Sequence, residues 1–353
     1  MNTVAMINLD EAFTRQVRAT LIGQCDTMKL LYVSLLQIGR AEKASGLMRS
    51  VLITGETGTG KQVVARALHL SGARPSGPFV EVNCAAIPAP LLETELFGFE
   101  KGAFTDAKAA KPGLFEEADG GTLFLDEICS MDHSVQAKLL KAIEDKCIRR
   151  VGALKSRPVD VRIIAASNTT SPADIGRTLR QDLYYRLSAF TVAVPSLRAR
   201  GEDILVLARF FLDRLAKECG GPVKRIAPDA ERMLLQYTWP GNVRELMHVI
   251  ERAAIQGQGE TIGCSDLDLA MPSRPSSVLV SRDSEVAVDF GASGIDLEDV
   301  ERQIIVKALT HTHWNRAEAA QLLSISKETL RYRIEKFGLS PALFRAVAPG
   351  SHG

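Results

Sequence analysis

The stretch Val51–Lys61, "VLITGETGTGK", runs a short apolar, β-rich segment into a glycine-rich turn that ends on a lysine and opens a helical pattern, "QVVARALHL". Strand, glycine-rich turn and helix in that order are the context of a P-loop. Glycines at Gly55, Gly58 and Gly60 let main-chain amides turn toward phosphate oxygens. The helix adds its positive N-terminal end, and Lys61 reaches the β- and γ-phosphates. The residue after the lysine, normally the Ser or Thr that binds magnesium, is Gln62. Magnesium binding therefore falls more heavily on acidic residues elsewhere.

Outward from this stretch, short apolar β-rich runs alternate with longer helical patterns. "FVEVN" (79–83), "TLFLD" (122–126), "RIIAAS" (162–167) and "FTVAVP" (190–195) follow "VLIT", with helical stretches such as "HSVQAKLLKAIED" between several of them. This alternation predicts an α/β domain, a parallel sheet covered by helices. After Pro195 the strands are expected to stop. "GEDILVLARFFLDRLAKEC", "APDAERMLLQY" and "GNVRELMHVIERAAI" carry apolar residues at helical spacing and predict an α-helical subdomain. Residues 257–294 are rich in Gly, Ser, Pro and Asp and read as a linker, in which "SVLVS" could pair as a short strand. Helical periodicity returns from Asp296, and the tail at 343–353 reads as disordered. The expected division is a short extension at 1–20, the α/β subdomain at 21–195, the helical subdomain at 196–256, the linker, a C-terminal helical domain at 295–342, and the tail.

The second half of the phosphate chemistry comes from "GGTLFLDE" (120–127), an apolar strand ending in two carboxylates. Asp126 at the strand tip can hold magnesium, and Glu127 can orient and deprotonate an attacking water. A lone "DE" is often only a solvated strand end. Paired with a P-loop at this separation, it reads as a hydrolytic pair.

Composition narrows the setting. With 353 residues, 46% hydrophobic and 24% charged, the chain has room for two or three domains. Lysine plus arginine number 43 against 42 acidic residues, so no global basic field exists and any nucleic-acid contact must be local. The six cysteines lie singly, without the close pairs of a zinc site or disulfide framework, and read as reduced. The N-terminus has no long apolar region, and no apolar run of about 18 or more residues occurs. The expectation is a cytoplasmic protein without a membrane partner.

In "NRAEAAQLLSISKETLRYRIEKFGLS" two short helical patterns flank a tight "LSIS" turn. Ala319, Ala320 and Leu323 supply packing, and Ser326 is a fitting N-cap. Lys327, Thr329, Arg331, Tyr332 and Arg333 gather on the second pattern, where a helix-turn-helix reads the major groove. Ser324 stands where a glycine would ease the turn.

Taken together, these motifs resemble the AAA+ ATPases that activate transcription with the alternative sigma factor sigma-54, the bacterial enhancer-binding proteins. The resemblance rests on "GETGTGKQ", "VNCAAIP" (82–88), "ELFGFEKGAFTDA" (95–107), "GGTLFLDE", "AASN" (165–168), "DLYYRL" (182–187) and "WPGNVREL" (239–246), with a Fis-type helix-turn-helix at the C-terminus. It implies an AAA+ P-loop fold with a helical lid, and ATP and Mg2+ as ligands. ATP would be bound by Gly55, Glu56, Thr57, Gly58, Thr59, Gly60, Lys61 and Gln62, together with Asp126, Glu127 and Arg244. Asn83 resembles the residue that switches Glu127 between orientations, Asn168 the γ-phosphate sensor and Arg244 the second sensor on the lid. Arg180 and Arg186 resemble arginine fingers reaching into a neighbouring subunit.

The segment "EKGAFTDAK" (100–108) resembles the family's GAFTGA loop, so Phe104 and Thr105 are implied as the sigma-54 contacts. Three positions depart from the pattern: Asp106 replaces the second glycine, Phe99 a usual histidine, and Gln62 a usual glutamate. "VGALKSRPVDV" (151–161) resembles a second surface loop, with Lys155 and Arg157 read as solvated ahead of a DNA contact. The implied partners are sigma-54 and RNA polymerase, upstream promoter DNA, and further copies of the chain, from dimer to hexameric ring. With about twenty residues before the first element, control is expected from a partner protein in trans, from expression level, or from truncation of a longer parent. Two rival readings stand beside this one. The first is a DNA-binding AAA+ regulator acting without sigma-54 through its altered loop. The second is a chaperone-type AAA+ remodeller, which the helix-turn-helix disfavours.

Overall fold

The computed structural model describes residues 21–104, 107–257, 259–269, 279–280, 286–287, 297–312 and 314–339. The expectations for the 1–20 extension, for Thr105 and Asp106, for much of the 257–294 linker and for the 343–353 tail lie outside the described residues. The chain divides into two compact units, Met1–Leu269 and Ala270–Gly353.

Helix α1 (Asp26–Ser45) forms because Met28, Leu31, Leu35 and Ile38 recur at helical spacing and are buried, and Gly46 at φ 67° ends it by donating its N–H to Glu42 O. Strand β1 (Val51–Thr54), helix α2 (Lys61–Ser71), strand β2 (Phe79–Asn83), helices α3 (Ala89–Phe97) and α4 (Leu114–Glu117), and strand β3 (Thr122–Asp126) follow. Next come helix α5 (His133–Asp145), the two-residue strands β4 (Cys147–Ile148) and β5 (Arg157–Pro158), strand β6 (Arg162–Ser167), helices α6 (Pro172–Thr178) and α7 (Gln181–Leu187), and strand β7 (Phe190–Ala193). The main sheet has five strands in the order β2-β3-β6-β1-β7, all parallel.

Alternation within the strands explains why both faces are covered. Leu52, Leu123, Leu125, Ile163 and Ala165 enter one core, while Val51, Ile53, Phe124, Ile164, Ala166 and Val192 enter the other. Each fully buried aliphatic side chain stabilises by about 1.5–3 kcal/mol. One polar feature crosses this apolar layer: Arg162 and Glu42, each 1% exposed, pair at 2.6 Å, and Arg162 also donates to Leu68 O at 2.8 Å.

The lid comprises helices α8 (Asp203–Cys219), α9 (Pro228–Gln236) and α10 (Asn242–Gln256) around Trp239, which is fully buried and donates its indole N–H to Leu234 O. The expectation that strands end at Pro195 is corrected here. Strands β8 (Arg225–Ile226) and β9 (Thr261–Ile262) form a short parallel pair that ties the segment after α10 back to the loop before α9. Ile262, Leu267 and Leu269 join the lid core, so its packing continues past Gln256, where periodicity alone ends it.

In the second unit, strands β10 (Leu279–Val280) and β11 (Val286–Ala287) pair antiparallel within the stretch read as linker. Helices α11 (Leu297–His311), α12 (Arg316–Leu322) and α13 (Lys327–Lys336) pack around Ile305, Leu309, Ala319, Ala320, Leu330 and Ile334. Asn315 caps α12 and Ser326 caps α13, each side chain accepting main-chain N–H groups of the first turn. Ser324 in the intervening turn adopts φ 54°, the strained conformation its position predicts.

Candidate functional site

Between the C-terminal edge of the sheet and the lid lies a cavity of about 430 Å³. Its polar wall is Thr57–Gln62, Asn83, Asp126, Glu127 and Arg244; the apolar part is formed by residues such as Leu21, Ile22, Met28 and Phe211. Strand register produces the polar wall: β2 and β3 align so that Asn83 stands opposite Asp126. Glu127 follows immediately in a left-handed conformation, φ 52°, uncommon for a residue with a Cβ and frequent at functional sites.

Lys61 is 8% exposed, and its Nζ donates to Gly55 O at 2.8 Å and Glu56 O at 3.0 Å. Burial depresses its pKa, and Asp126 and Glu127 oppose that by favouring the charged form. Cys84, beside the same carboxylates, has its thiol pushed up to about 12 by burial, then by Asp126 and Glu127, which keeps it a neutral packing group.

Gly58 shows why this loop needs glycine. It sits at φ 77°, and a Cβ there would lie 2.2 Å from Gly241 O of the lid. Its own carbonyl accepts the N–H groups of Val243 and Arg244 at the start of α10, at 2.9 and 3.3 Å. The phosphate loop and the lid helix therefore meet main chain to main chain.

The structure does not bring every expected residue to the cavity. Gly55 and Glu56 stand behind it, with Glu56 paired to Arg198 and to Asn242 Nδ2. The Gln62 amide donates to Glu81 Oε2 at 2.9 Å although Gln62 lines the cavity. Asn168 is exposed just beyond β6 with its Oδ1 at 3.5 Å from Thr169 Oγ1, outside the lining. Asn83 Oδ1 accepts from Ala85 N at 2.9 Å, and no hydrogen bond joins it to Glu127 among the described residues.

Arg180, just before α7, folds onto Asp182 in a two-bond pair at 3.1 and 2.8 Å. Arg186 is exposed on α7 without an ion pair among the described residues. No group of three or more potential metal ligands occurs among the described residues. A divalent ion fits only as one held by Asp126 together with nucleotide phosphates, the usual mode for magnesium.

Two residues that sequence reasoning passed over organise the site. Asn242, fully buried, donates from Nδ2 to Thr57 O at 3.0 Å and to Glu56, and its Oδ1 accepts Leu197 N–H at 2.8 Å. Arg200, 4% exposed, donates from Nη2 to Thr59 O at 2.7 Å and to Pro195 O at 2.9 Å. Both lie in segments rich in ordinary polar residues, where only the fold singles them out.

On another surface, Phe104 remains 44% exposed while its ring leans on Phe99, centroids 4.9 Å apart. Phe97 is not part of that contact; it stacks on Phe115 instead. The adjacent loop is joined to this one through Phe99–Val151 pairing and through Arg150, which binds Glu116 at 2.7 and 2.8 Å and Glu100 at 3.3 Å. Arg157, 48% exposed, also pairs with Glu100 at 3.2 Å and Glu116 at 3.3 Å. Lys155 is exposed, and Leu154 at the tip is 96% exposed.

Comparison with known proteins gives this geometry its context. Residues 23–193 match the Sigma-54 interaction domain, residues 198–281 the AAA+ ATPase lid domain, and residues 296–337 the Fis family of bacterial regulatory proteins. The chain belongs to the sigma-54-dependent transcriptional regulators. It is 42% identical over 340 residues to the response regulator protein PilR of Pseudomonas aeruginosa, covering 96% of this chain and 74% of that protein. It is 43% identical over 318 residues to the transcriptional regulatory protein ZraR of Escherichia coli, covering 90% and 68%. Among solved structures, NtrX from Brucella abortus in complex with ADP superposes with a TM-score of 0.64 at 30% identity, covering 93% of this chain and 72% of NtrX. NtrX in complex with ATP gives 0.63 at 30% identity, covering 93% and 73%.

As a member of this family the chain carries an AAA+ domain of an ATPase class, with sigma-54 polymerase and DNA as the partners its domains address. In the regulator's helix-turn-helix, Lys327, Arg331 and Tyr332 are exposed on α13, with Tyr332 at 66%. Arg333 turns back to pair with Glu301 on α11, and Thr329 Oγ1 lies 2.9 Å from Ser326 Oγ in the cap. In this structure both side chains are thus engaged within the domain, as is Arg331, which pairs with Glu335 at 3.1 Å. No helix among the described residues of this regulator is long and apolar enough to cross a membrane.

Proposed function

We propose that this regulator is a cytoplasmic, ATP-driven activator that assembles into a ring and converts a sigma-54 polymerase closed complex into an open one. The observation that carries the reading is the joint placement of Lys61, Asp126 and Glu127 on one cavity in a chain that also displays Phe104 on a braced surface loop. An exposed aromatic is costly in water and useful as an anchor on a partner.

In this mechanism the Thr57–Lys61 main chain cradles the phosphates, and Lys61 leaves its carbonyl partners to meet them. Glu127 takes the proton of the attacking water, Asn168 senses the γ-phosphate, and Arg244 acts as the second sensor from the lid. Asp126 would hold magnesium, which would supply charge neutralisation to the bound phosphates. Asn83 and Asn168 adjust as the γ-phosphate is lost. Arg180 and Arg186 of a neighbouring subunit complete the site, which requires Arg180 to leave Asp182. Phe104 and Thr105 press on sigma-54, and Lys327, Arg331 and Tyr332 hold the upstream DNA site, with a partner protein in trans as the control.

The test is open-complex formation by purified protein with ATP and magnesium on a sigma-54 promoter carrying its upstream site, beside Phe104→Ala. Opening that disappears in the variant supports the reading. ATP hydrolysis without opening would overturn it in favour of a regulator that works without sigma-54.

A further inference from the structure

Arg200 stands at the end of the turn Leu197–Arg200, which leads from β7 into the first lid helix, α8. Its guanidinium is buried and forms no ion pair among the described residues. It is divided instead between two main-chain oxygens. Nε and Nη2 donate to Pro195 O at 3.2 and 2.9 Å, and Nη2 also donates to Thr59 O at 2.7 Å. Burial pulls its pKa down, opposed in part by Cys25, Asp203 and Tyr32 nearby. Arginine keeps its charge under such conditions, so both contacts are charge-assisted.

Thr59 O belongs to the peptide that carries the Gly60 N–H. No cis peptide bond occurs among the described residues, and in a planar trans peptide the C=O and N–H point in opposite directions. The bond from Arg200 therefore turns the Gly60 N–H away from the guanidinium, at a residue that lines the cavity beside Lys61. That N–H makes no hydrogen bond among the described residues. Gly60 sits at φ 98°, and nothing lies within 4 Å of where its Cβ would be, so local sterics leave this peptide free to turn. Its orientation has to be held from outside. A charged donor on the carbonyl also polarises the N–H into a stronger donor. Two residues earlier, the neutral amide of Asn242 holds Thr57 O, so shaping the loop does not by itself require a charge. A buried cation without a counter-ion is costly, and an anion facing the other end of the peptide accounts for it.

We propose that Arg200 is a positioning residue for the phosphate cradle. It fixes the Thr59–Gly60 peptide so that the Gly60 N–H faces a phosphate oxygen, and it anchors that peptide to the turn from which the lid departs. The inference rests on the nucleotide-site reading above and adds the residue that aims one of its amides.

The experiment combines calorimetric titration of the full chain with ADP and inorganic tripolyphosphate, steady-state hydrolysis, and glycine-selective 15N spectra. Arg200→Ala is expected to weaken both ligands by about ten-fold and to raise KM for ATP by a similar factor. Its kcat should change by less than about three-fold, as for a contact made alike in ground and transition states. Arg200→Gln removes the charge with less loss of volume. It should weaken tripolyphosphate by about three-fold or more, and it keeps the question answerable if Arg200→Ala fails to fold. In the chain without ligand, Arg200→Gln should move the Gly60 amide proton upfield, which a direct contact between Arg200 and phosphate would not do. Leu234→Ala, a truncation in the lid core, is the stability control and should leave tripolyphosphate affinity within about two-fold of wild type. Unchanged tripolyphosphate affinity in a folded Arg200 variant, or a Gly60 resonance that does not move, would overturn the proposal. So would equal weakening in Leu234→Ala, or a fall in kcat at unchanged KM. A wild-type chain that binds neither ADP nor tripolyphosphate overturns the nucleotide-site reading itself, a result distinct from any of these.

Discussion

Replacing Asn242 by alanine tests whether one buried amide joins the phosphate loop to the lid. The side chain is fully buried, and its amide serves Thr57 O, Glu56 and Leu197 N–H. Alanine strands the Leu197 N–H, which costs about 1–3 kcal/mol, and removes a hydrogen bond to a carboxylate, worth about 1.5–3 kcal/mol in general. Glu56 keeps Arg198, so the lower end of that second range applies. Asn242 also sits at φ 53°, where alanine adds about 1–2 kcal/mol of strain that asparagine tolerates better. The expected loss is about 4 kcal/mol for Asn242→Ala and about 3 kcal/mol for Asn242→Gly, which removes the same bonds without the strain. At the start of an ordinary helix the order would reverse, with glycine the worse residue. Denaturant unfolding followed by tryptophan fluorescence measures this, because Trp239 is buried in the lid beside the substituted position. A loss below about 1 kcal/mol for alanine, or a glycine variant less stable than the alanine one, would refute the reasoning.

Three further outcomes follow from the geometry. Lys61→Ala should abolish nucleotide binding, whereas Glu127→Gln should retain binding and lose hydrolysis by about 100-fold or more, measured by titration and phosphate release. Burial lifts the Glu42 carboxyl to about 7 against the opposing pull of Arg162. Its folded pKa thus lies above the ordinary 4.5, so its contribution to stability is full below that value and fades as pH rises through about 7. The stability margin of wild type over Glu42→Gln should shrink across that window in melts at stepped pH; a flat or growing margin would refute it. Arg333→Met should lower the melting temperature of the C-terminal domain by freeing Glu301, while Arg331→Ala should leave folding near wild type and weaken DNA binding in a mobility-shift assay.

The sheet was legible because each strand is a short, mostly apolar, β-rich run between helical patterns. "VLIT", "FVEVN", "TLFLD" and "RIIAAS" coincide with β1, β2, β3 and β6, and their alternation serves two covered faces. Lys61, Asp126 and Glu127 were legible because phosphate chemistry demands those residue types at those element ends. Asn242 and Arg200 were not, since their importance lies in which main-chain oxygens they reach across more than 140 positions of sequence. The ion pair of Arg333 with Glu301 was not legible for the converse reason. A basic residue on a reading helix looks the same in sequence whether it faces DNA or a glutamate on a neighbouring helix. The strands β8 and β9 are two residues each, too short for any period to register.

The ion network at the surface loops has a mechanical meaning. Glu100 at the root of the Phe104 loop, Arg150 and Arg157 on either side of the second loop, and Glu116 on α4 form one cross-braced frame, reinforced by the Val151 main-chain bonds to Gly98 and Glu100. A push on Phe104 is therefore borne by α4 and the second loop as well as by the chain on either side of the aromatic tip. The two loops are braced as one frame, so under the proposed function the aromatic tip would be carried by movement of that frame, not by the bending of one loop alone.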